Sequence, residues 1–400
     1  MYGGGNIGRG FIGTLFSASG YRTTFIDVAA PVVDGLNREG KYPVRIISGD
    51  THEDIDVTNV CAVNGNDTDS VAEAIADADI MATAVGVNIL KFIIPNLVAG
   101  IRKRMERGDV PLNILICENL MDANRVLEGM IKAELNSVEC AWFDKNIGLV
   151  EASIGRMVPV QTDDMKDGNP LRVCVERYGF LPVDKAAFKG EIPEIKNMIP
   201  FEPFDFYIKR KLYVHNMGHA TCAYLGDIVG VNYIYESIDK DEVYLIVKGA
   251  MQESARALSK NYGVPLEDIL LHIDDLLCRF TNAALKDTCK RVGGDPKRKL
   301  SPEDRLIGSS KLAAKCGILP AYIAIGAAAA VRRYIAESED MEQTLDNAKA
   351  VLETVSGLGK DDTLTSLILE NYSLLREGKS LGEIRRAADR KKAECSGQVI

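Results

Sequence analysis

Histidine is scarce in this chain: four in 400 residues, none in a His-Glu-x-x-His or Cys/His cluster, which leaves few ligands for a metal centre. The expectation is a site without metal. Cysteine is present nine times, an odd number scattered through the chain with no Cys-x-x-Cys pair. A chain of this length needs no covalent staples, so free thiols are expected. Basic charge is in deficit, 48 Lys and Arg against 57 Asp and Glu for a net charge of −9. A nucleic-acid or anionic-membrane partner is therefore not expected, and an anionic ligand must be met by a local basic pocket. No run of eighteen apolar residues occurs, and the first thirty residues hold a glycine loop and a strand with no signal-peptide core. The chain reads as cytoplasmic.

The 46% hydrophobic and 26% charged residues are those of a globular protein with room for two domains. The first half alternates strand and helix. Thr23 to Val28, Val44 to Ile47, Ile55 to Val57, Ile80 to Val85, Asn113 to Cys117 and Arg172 to Glu176 read as strands, and Ile89 to Met105 as a helix with Pro95 in its first turn or kinking it. Strands apolar throughout imply a parallel sheet covered on both faces. A proline-rich stretch from Phe188 through Pro203 reads as a linker. Beyond it the apolar spacing is helical over Asp205 to Ile228, Asp241 to Lys260, Leu266 to Phe280, Lys311 to Glu337, Met341 to Thr354 and Thr363 to Leu375, with a basic loop at Asp287 to Asp304. The charged stretch Arg385 to Lys392 reads as a solvated helix end. The expected architecture is an α/β Rossmann-type domain with a mostly parallel sheet over residues 1–190, then an all-α domain over 191–400.

Gly3-x-Gly5-x-x-Gly8 fits the dinucleotide fingerprint: a tight turn, a close backbone approach to pyrophosphate, and a helix packed on the sheet. The first-turn amides of that helix, at Asn6 and Ile7, suit an anion. Asp27 follows Gly8 by nineteen residues, where a carboxylate accepts from the adenosine ribose and repels a 2′-phosphate, so NAD is favoured over NADP. Such a sheet needs a strand before its glycine turn, and only Met1 and Tyr2 precede Gly3. The first strand is expected to be truncated, with neighbours left short of ladder partners. Thr83-Ala84-Val85-Gly86 and Cys117-Glu118-Asn119 close two apolar strands at carboxyl ends, where open α/β sheets bind ligands.

In the second half, Lys211, Asn216 and His219 form a Lys-x-x-x-x-Asn-x-x-His array. On a helix Asn216 and His219 share a face, and Lys211 falls near it about two turns back. A proton acceptor and two polarising groups converging on one carbon are what hydride transfer from an alcohol needs. As a base, Lys211 requires a pKa brought down from ~10.4.

These stretches, with Arg291 to Ile307 (RVGGDPKRKLSPEDRLI), resemble in order the polyol-specific long-chain dehydrogenases, the mannitol dehydrogenase family. The resemblance implies a zinc-independent oxidoreductase with Lys211 as general acid and base, and Asn216 and His219 holding the carbinol oxygen. It implies cofactor contacts at Gly3, Gly5, Asn6, Ile7, Gly8, Asp27, Val85, Gly86, Glu118 and Asn119, a possible phosphate or substrate contact at Arg9, and a monomer. Because Arg291 to Ile307 resembles the phosphate-sugar members, the expected substrate is a small sugar phosphate held by Lys299 and Arg305. Members acting on neutral polyols or hexuronates share the Lys/Asn/His array and are the alternative, as is a non-catalytic NAD-binding protein.

Overall fold

The structure, a computed structural model, describes every residue except Met121, Val160, Asp361 and 397–400, together with the backbone but not the side chain of Ser396. It divides into two compact units, Met1–Asp205 and Phe206–Ile400. Among the described residues all ten strands lie in the first unit, and no helix is long and apolar enough to cross a membrane.

In the first unit, strands β1 (Thr23–Asp27), β4 (Val60–Asn64), β5 (Ile80–Thr83), β6 (Leu112–Ile116) and β7 (Ile147–Glu151) form the main sheet. The pairs β1/β4, β5/β6 and β6/β7 are all parallel. Successive side chains leave opposite faces. Phe25, Leu115 and Val150 enter a core with Phe11, Leu36 and Tyr42. Their neighbours Ile26, Ile114, Ile116 and Leu149 enter a second core with Ile75, Leu97 and Leu127. Two buried faces explain why β5 and β6 are almost wholly apolar, their buried polar residues Thr83 and Asn113 each being hydrogen-bonded. The hairpin β2 (Lys41–Ser48) and β3 (Thr51–Thr58) reaches further than its apolar residues suggested, and β2 pairs in parallel with β8 (Val173–Val175). The supposed linker carries a strand: β10 (Met198–Phe201) pairs in parallel with β9 (Leu181–Asp184). Prolines mark an edge as readily as a linker, because an edge strand can spare an N–H.

The short amino terminus has a defined place. Tyr2 bridges Ile26 of β1 and Thr83 of β5, both in parallel, so that residues 1–3 form the only link between the two parts of the main sheet among the described residues. Tyr2 N donates to Ala82 O (2.8 Å), Ala84 N to Tyr2 O (2.9 Å), Gly3 N to Ile26 O (2.8 Å) and Ile26 N to Met1 O (2.9 Å). Below Met1 the two strands stand apart around a cavity of about 630 Å³ lined in part by Thr23, Thr24, Ile26, Ile80 and Met81. The Thr23 hydroxyl is buried without a hydrogen-bond partner.

The second unit is helical. One long helical run covers Asp205–Arg210, Lys211–Asn216 and Met217–Val229. The apolar run expected as one helix from 311 is broken: Ile307–Lys315 and Ala321–Glu337 are separate, with Gly317 at φ 72° and Pro320 between them. Glu253, fully buried on the helix Asp241–Tyr262, accepts from the amides of Tyr322 and Ile323 (both 3.1 Å), capping Ala321–Glu337. Lys392 Nζ meets the same carboxylate at 2.9 Å. The charged stretch 385–392 is therefore no simple solvated end. It lies in the helix Leu381–Ser396, which Lys392, together with Arg385 on Glu242, ties to Asp241–Tyr262. A lysine bound to a fully buried carboxylate cannot be told from a solvated one by its neighbours in sequence.

Candidate active site

The glycine loop is built by main-chain geometry. Gly3 has φ 97°, and a Cβ there would stand 2.6 Å from Ala84 O, so no other residue fits without displacement. A Cβ on Gly5 would meet nothing within 4 Å, and Gly5 and Asn6 are exposed, which leaves the first-turn amides open to a ligand. Helical geometry starts at Asn6 and passes through a π-helical segment, Gly8–Ile12, before Gly13–Ala18. Asp27, at the end of β1, accepts from Gly4 N (2.7 Å) and Ala29 N (2.8 Å), so its carboxylate is held beside the loop. Arg9 turns away: Nε donates to Gly4 O at 2.6 Å, another guanidinium nitrogen donates to Leu171 O, and the group is buried. It braces the loop.

At the ends of β5 and β6, Glu118 is buried, and both its oxygens are engaged. Thr83 Oγ1 donates at 2.7 Å and Val85 N at 2.9 Å. The Glu118 carboxylate thereby locks the segment that presents Val85 and Gly86. Gly86 follows at φ 91°, exposed, as is Asn119.

In the second unit, Lys211–Asn216 is itself π-helical and joins directly to Met217–Val229. That changes the phase of the array. Eight residues of regular α-helix are about 2.2 turns, which leaves Lys211 well off the line of His219. A π-bulge absorbs one extra residue, leaving about 1.9 turns, and so turns position 211 back towards the helix face of position 219. Lys211 and Asn216 are half-buried, and Lys211 lies within electrostatic reach of the buried His215. The ring of Phe280 stacks on His219 with centroids 4.8 Å apart. Burial first, then the Arg291, Arg305 and Arg279 guanidiniums, bring the His219 imidazole down to about 4, against the opposing pull of Asp287. His219 is therefore neutral at ordinary pH.

Beside it, the basic segment folds into the short turns Cys289–Val292 and Pro296–Lys299. Lys299 is 4% exposed, donates to Gly294 O, and pairs with no carboxylate among the described residues. Burial, with Arg305 and Arg298 nearby, lowers its ammonium to about 8. Arg305 binds Asp304 at 2.7 Å and acts electrostatically on Lys299, His219 and Tyr224. The structure thus brings Lys299 and Arg305 together near His219, whereas Lys297 and Arg298 are exposed. No group of three or more His, Cys, Asp or Glu residues among those described is placed to hold a metal ion.

Two family models cover almost the whole chain: the mannitol dehydrogenase Rossmann domain matches residues 1–197, and the mannitol dehydrogenase C-terminal domain matches residues 204–385. The chain belongs to the mannitol dehydrogenase family. A relative from Caldanaerobacter subterraneus subsp. tengcongensis, a mannitol-1-phosphate 5-dehydrogenase, is 34% identical over 94% of this chain and 97% of its own. Among solved structures, a D-sorbitol dehydrogenase in substrate-free form superposes with TM-score 0.77 at 14% identity, covering 94% of this chain and 92% of that one. The Pseudomonas fluorescens mannitol 2-dehydrogenase, solved with NAD and D-mannitol, gives 0.72 at 14%, covering 98% and 94%. At that identity the likeness is one of fold: a Rossmann-like domain followed by a helical one.

For this mannitol dehydrogenase family member, reading the sequence missed two residues at the second-unit site. Asp287, 13% exposed, has Oδ2 at 3.5 Å from His219 Nε2 and an ion pair with Arg291. Tyr224 has a buried hydroxyl with no partner, and its ring lies against Gly293. Tyr224 stands five residues after His219 and Asp287 opens the basic segment, but neither carries a spacing signal, because both are placed by packing between helices.

Proposed function

We propose that this protein is an NAD-dependent dehydrogenase interconverting D-mannitol 1-phosphate and D-fructose 6-phosphate, a cytoplasmic enzyme acting as a monomer without zinc. The observation that carries the reading is the 34% identity spanning 94% of the chain and 97% of a mannitol-1-phosphate 5-dehydrogenase. Its physical support is Lys299, a buried ammonium without a carboxylate partner among the described residues, beside Arg305. Such a pair gains from a phosphate and has no use for a neutral polyol. The first unit fits a dinucleotide at Gly3, Gly5, Asn6, Ile7 and Gly8, with Val85, Gly86 and Asn119 at the strand ends. Asp27 would accept from the ribose and disfavour a 2′-phosphate.

When bound, NAD supplies the acceptor for a hydride. In oxidation neutral Lys211 takes the proton of the C5 hydroxyl as hydride leaves C5, giving the ketone. In the reverse direction protonated Lys211 returns that proton to the forming alkoxide. The Asn216 carboxamide, which has no hydrogen-bond partner among the described residues, and His219 would fix the substrate's oxygens. Lys299 and Arg305 would hold the phosphate and so set which end of the sugar reaches Lys211.

The test is to follow NADH absorbance with fructose 6-phosphate, fructose and fructuronate in parallel. Turnover of fructose 6-phosphate alone is expected. Reduction of fructose with no response to the phosphate ester would overturn the substrate assignment, and no turnover of any of the three would overturn the reaction.

A further inference from the structure

Asp287 is held from several sides. Its carbonyl accepts from Ile234 N at 2.9 Å, Cys289 N donates to Asn232 O at 2.8 Å, and Tyr233 bridges Thr288, so Asp287 and the two residues after it are laced to Asn232–Ile234. Lys286, at φ 51°, turns the chain into it. One carboxylate oxygen pairs with Arg291, and the other stands 3.5 Å from Nε2 of His219. The imidazole is clamped from its face by Phe280 at 4.8 Å. Its Nδ1 has no hydrogen-bond partner among the described residues. One ring nitrogen therefore faces a fixed anion and the other is available to a ligand.

A neutral imidazole carries one N–H, and an anion beside one nitrogen draws the hydrogen to that nitrogen. Resting on the dehydrogenase reading above, we propose that Asp287 is the positioning residue of the site, keeping the His219 proton on Nε2 and leaving Nδ1 as a lone pair for the substrate. His219 then accepts the hydrogen of a sugar hydroxyl, and the donors to the carbinol oxygen are Asn216 and, in reduction, the Lys211 ammonium. Arg291 takes up part of the Asp287 charge. The ring also feels Arg305, Arg279 and His215, which together with burial keep it from becoming a cation.

The test reads the tautomer and the kinetics separately. In protein labelled with ¹⁵N-histidine, the free enzyme should show His219 as a single Nε2–H tautomer, with one pyrrole-type and one pyridine-type nitrogen. This needs neither substrate nor a variant, so it stands even if the substrate assignment fails. Asp287→Asn should retain the thermal transition but mix the tautomers and lower kcat about 10- to 100-fold, with KM for the sugar changed far less. Because the carboxylate raises the His219 pKa, its loss should also move the acid limb of kcat/KM to lower pH. An Nδ1–H tautomer in the native enzyme overturns the proposal. So does Asp287→Asn with unchanged kcat and an unmoved acid limb.

Discussion

Two π-helical segments occur among the described residues, and each lies at one of the two candidate sites: Gly8–Ile12 after the glycine loop and Lys211–Asn216 in the Lys/Asn/His array. They solve different problems. In the first unit the π turn belongs to a site made of main chain, where Gly3, Gly5 and the first helical amides are useful for the side chains they lack. In the second it re-phases side chains, turning position 211 back towards the helix face of position 219. One site is spoiled by adding atoms and the other by removing them.

The largest effect should come from removal. Lys211→Met keeps the length and apolar stem of the side chain but leaves no group to take the hydroxyl proton. In stopped-flow and steady-state assays kcat should fall by about 10³-fold, with NADH affinity nearly unchanged. A loss of NADH binding comparable to the loss of kcat would mean that the array is not confined to proton transfer, and the contrast would fail. The counterpart is addition. Gly3→Ala places a methyl 2.6 Å from Ala84 O at φ 97°, at a cost of roughly 3 kcal/mol divided between strain and displacement. Calorimetry should show the first unit melting earlier and NADH titration should show weakened binding, while the heat signature of the second unit stays in place.

The main-chain site was the more legible from sequence because its requirements are themselves sequence spacings: three glycines, then an acid at the end of the next strand. The Lys/Asn/His array was legible as a spacing, but not its phase, since nothing in Lys-Leu-Tyr-Val-His-Asn announces a π turn. The bracing roles of Glu118 and Arg9 were hidden for a related reason. A polar residue beside a ligand loop can face the ligand or brace the loop, and burial alone decides between them. Asp287 and Tyr224 had no local signal, and β10 was hidden by prolines that an edge strand tolerates.

Acid should divide the units by a smaller margin. His219 is brought down to about 4, and the buried His215 and the half-buried His272 are lowered well below their ordinary value, by desolvation above all and then by neighbouring arginines. A group whose folded pKa is depressed contributes stability that is complete above the unfolded value near 6.5 and is lost as pH falls towards the folded one. His219 alone accounts for about 3 kcal/mol across that window at ~1.4 per unit. The second unit should therefore lose protection in hydrogen exchange between pH 6.5 and 4, and His219→Gln should blunt the loss. If the helices around His219 are equally protected at both pH values, the imidazole is not buried as described.

The smallest effect concerns the sheet beneath Met1. There the cavity of about 630 Å³ lies between β1 and β5, lined in part by Met1, Thr24, Ile26 and Met81. A five-residue segment joined ahead of Met1 would run into this cavity. Only an extended segment rich in Val and Ile can also lay a parallel strand along β1 and β5 and bury apolar side chains on both faces. Compared with a Gly/Ser extension of equal length, it should stabilise the first unit by about 1 to 2 kcal/mol, once ladder hydrogen bonds and burial are set against ordering entropy. That is a rise of a few degrees in its melting transition, with the helical unit unmoved. Equal transitions for the two extensions would mean that the gap between β1 and β5 is not shaped for a strand.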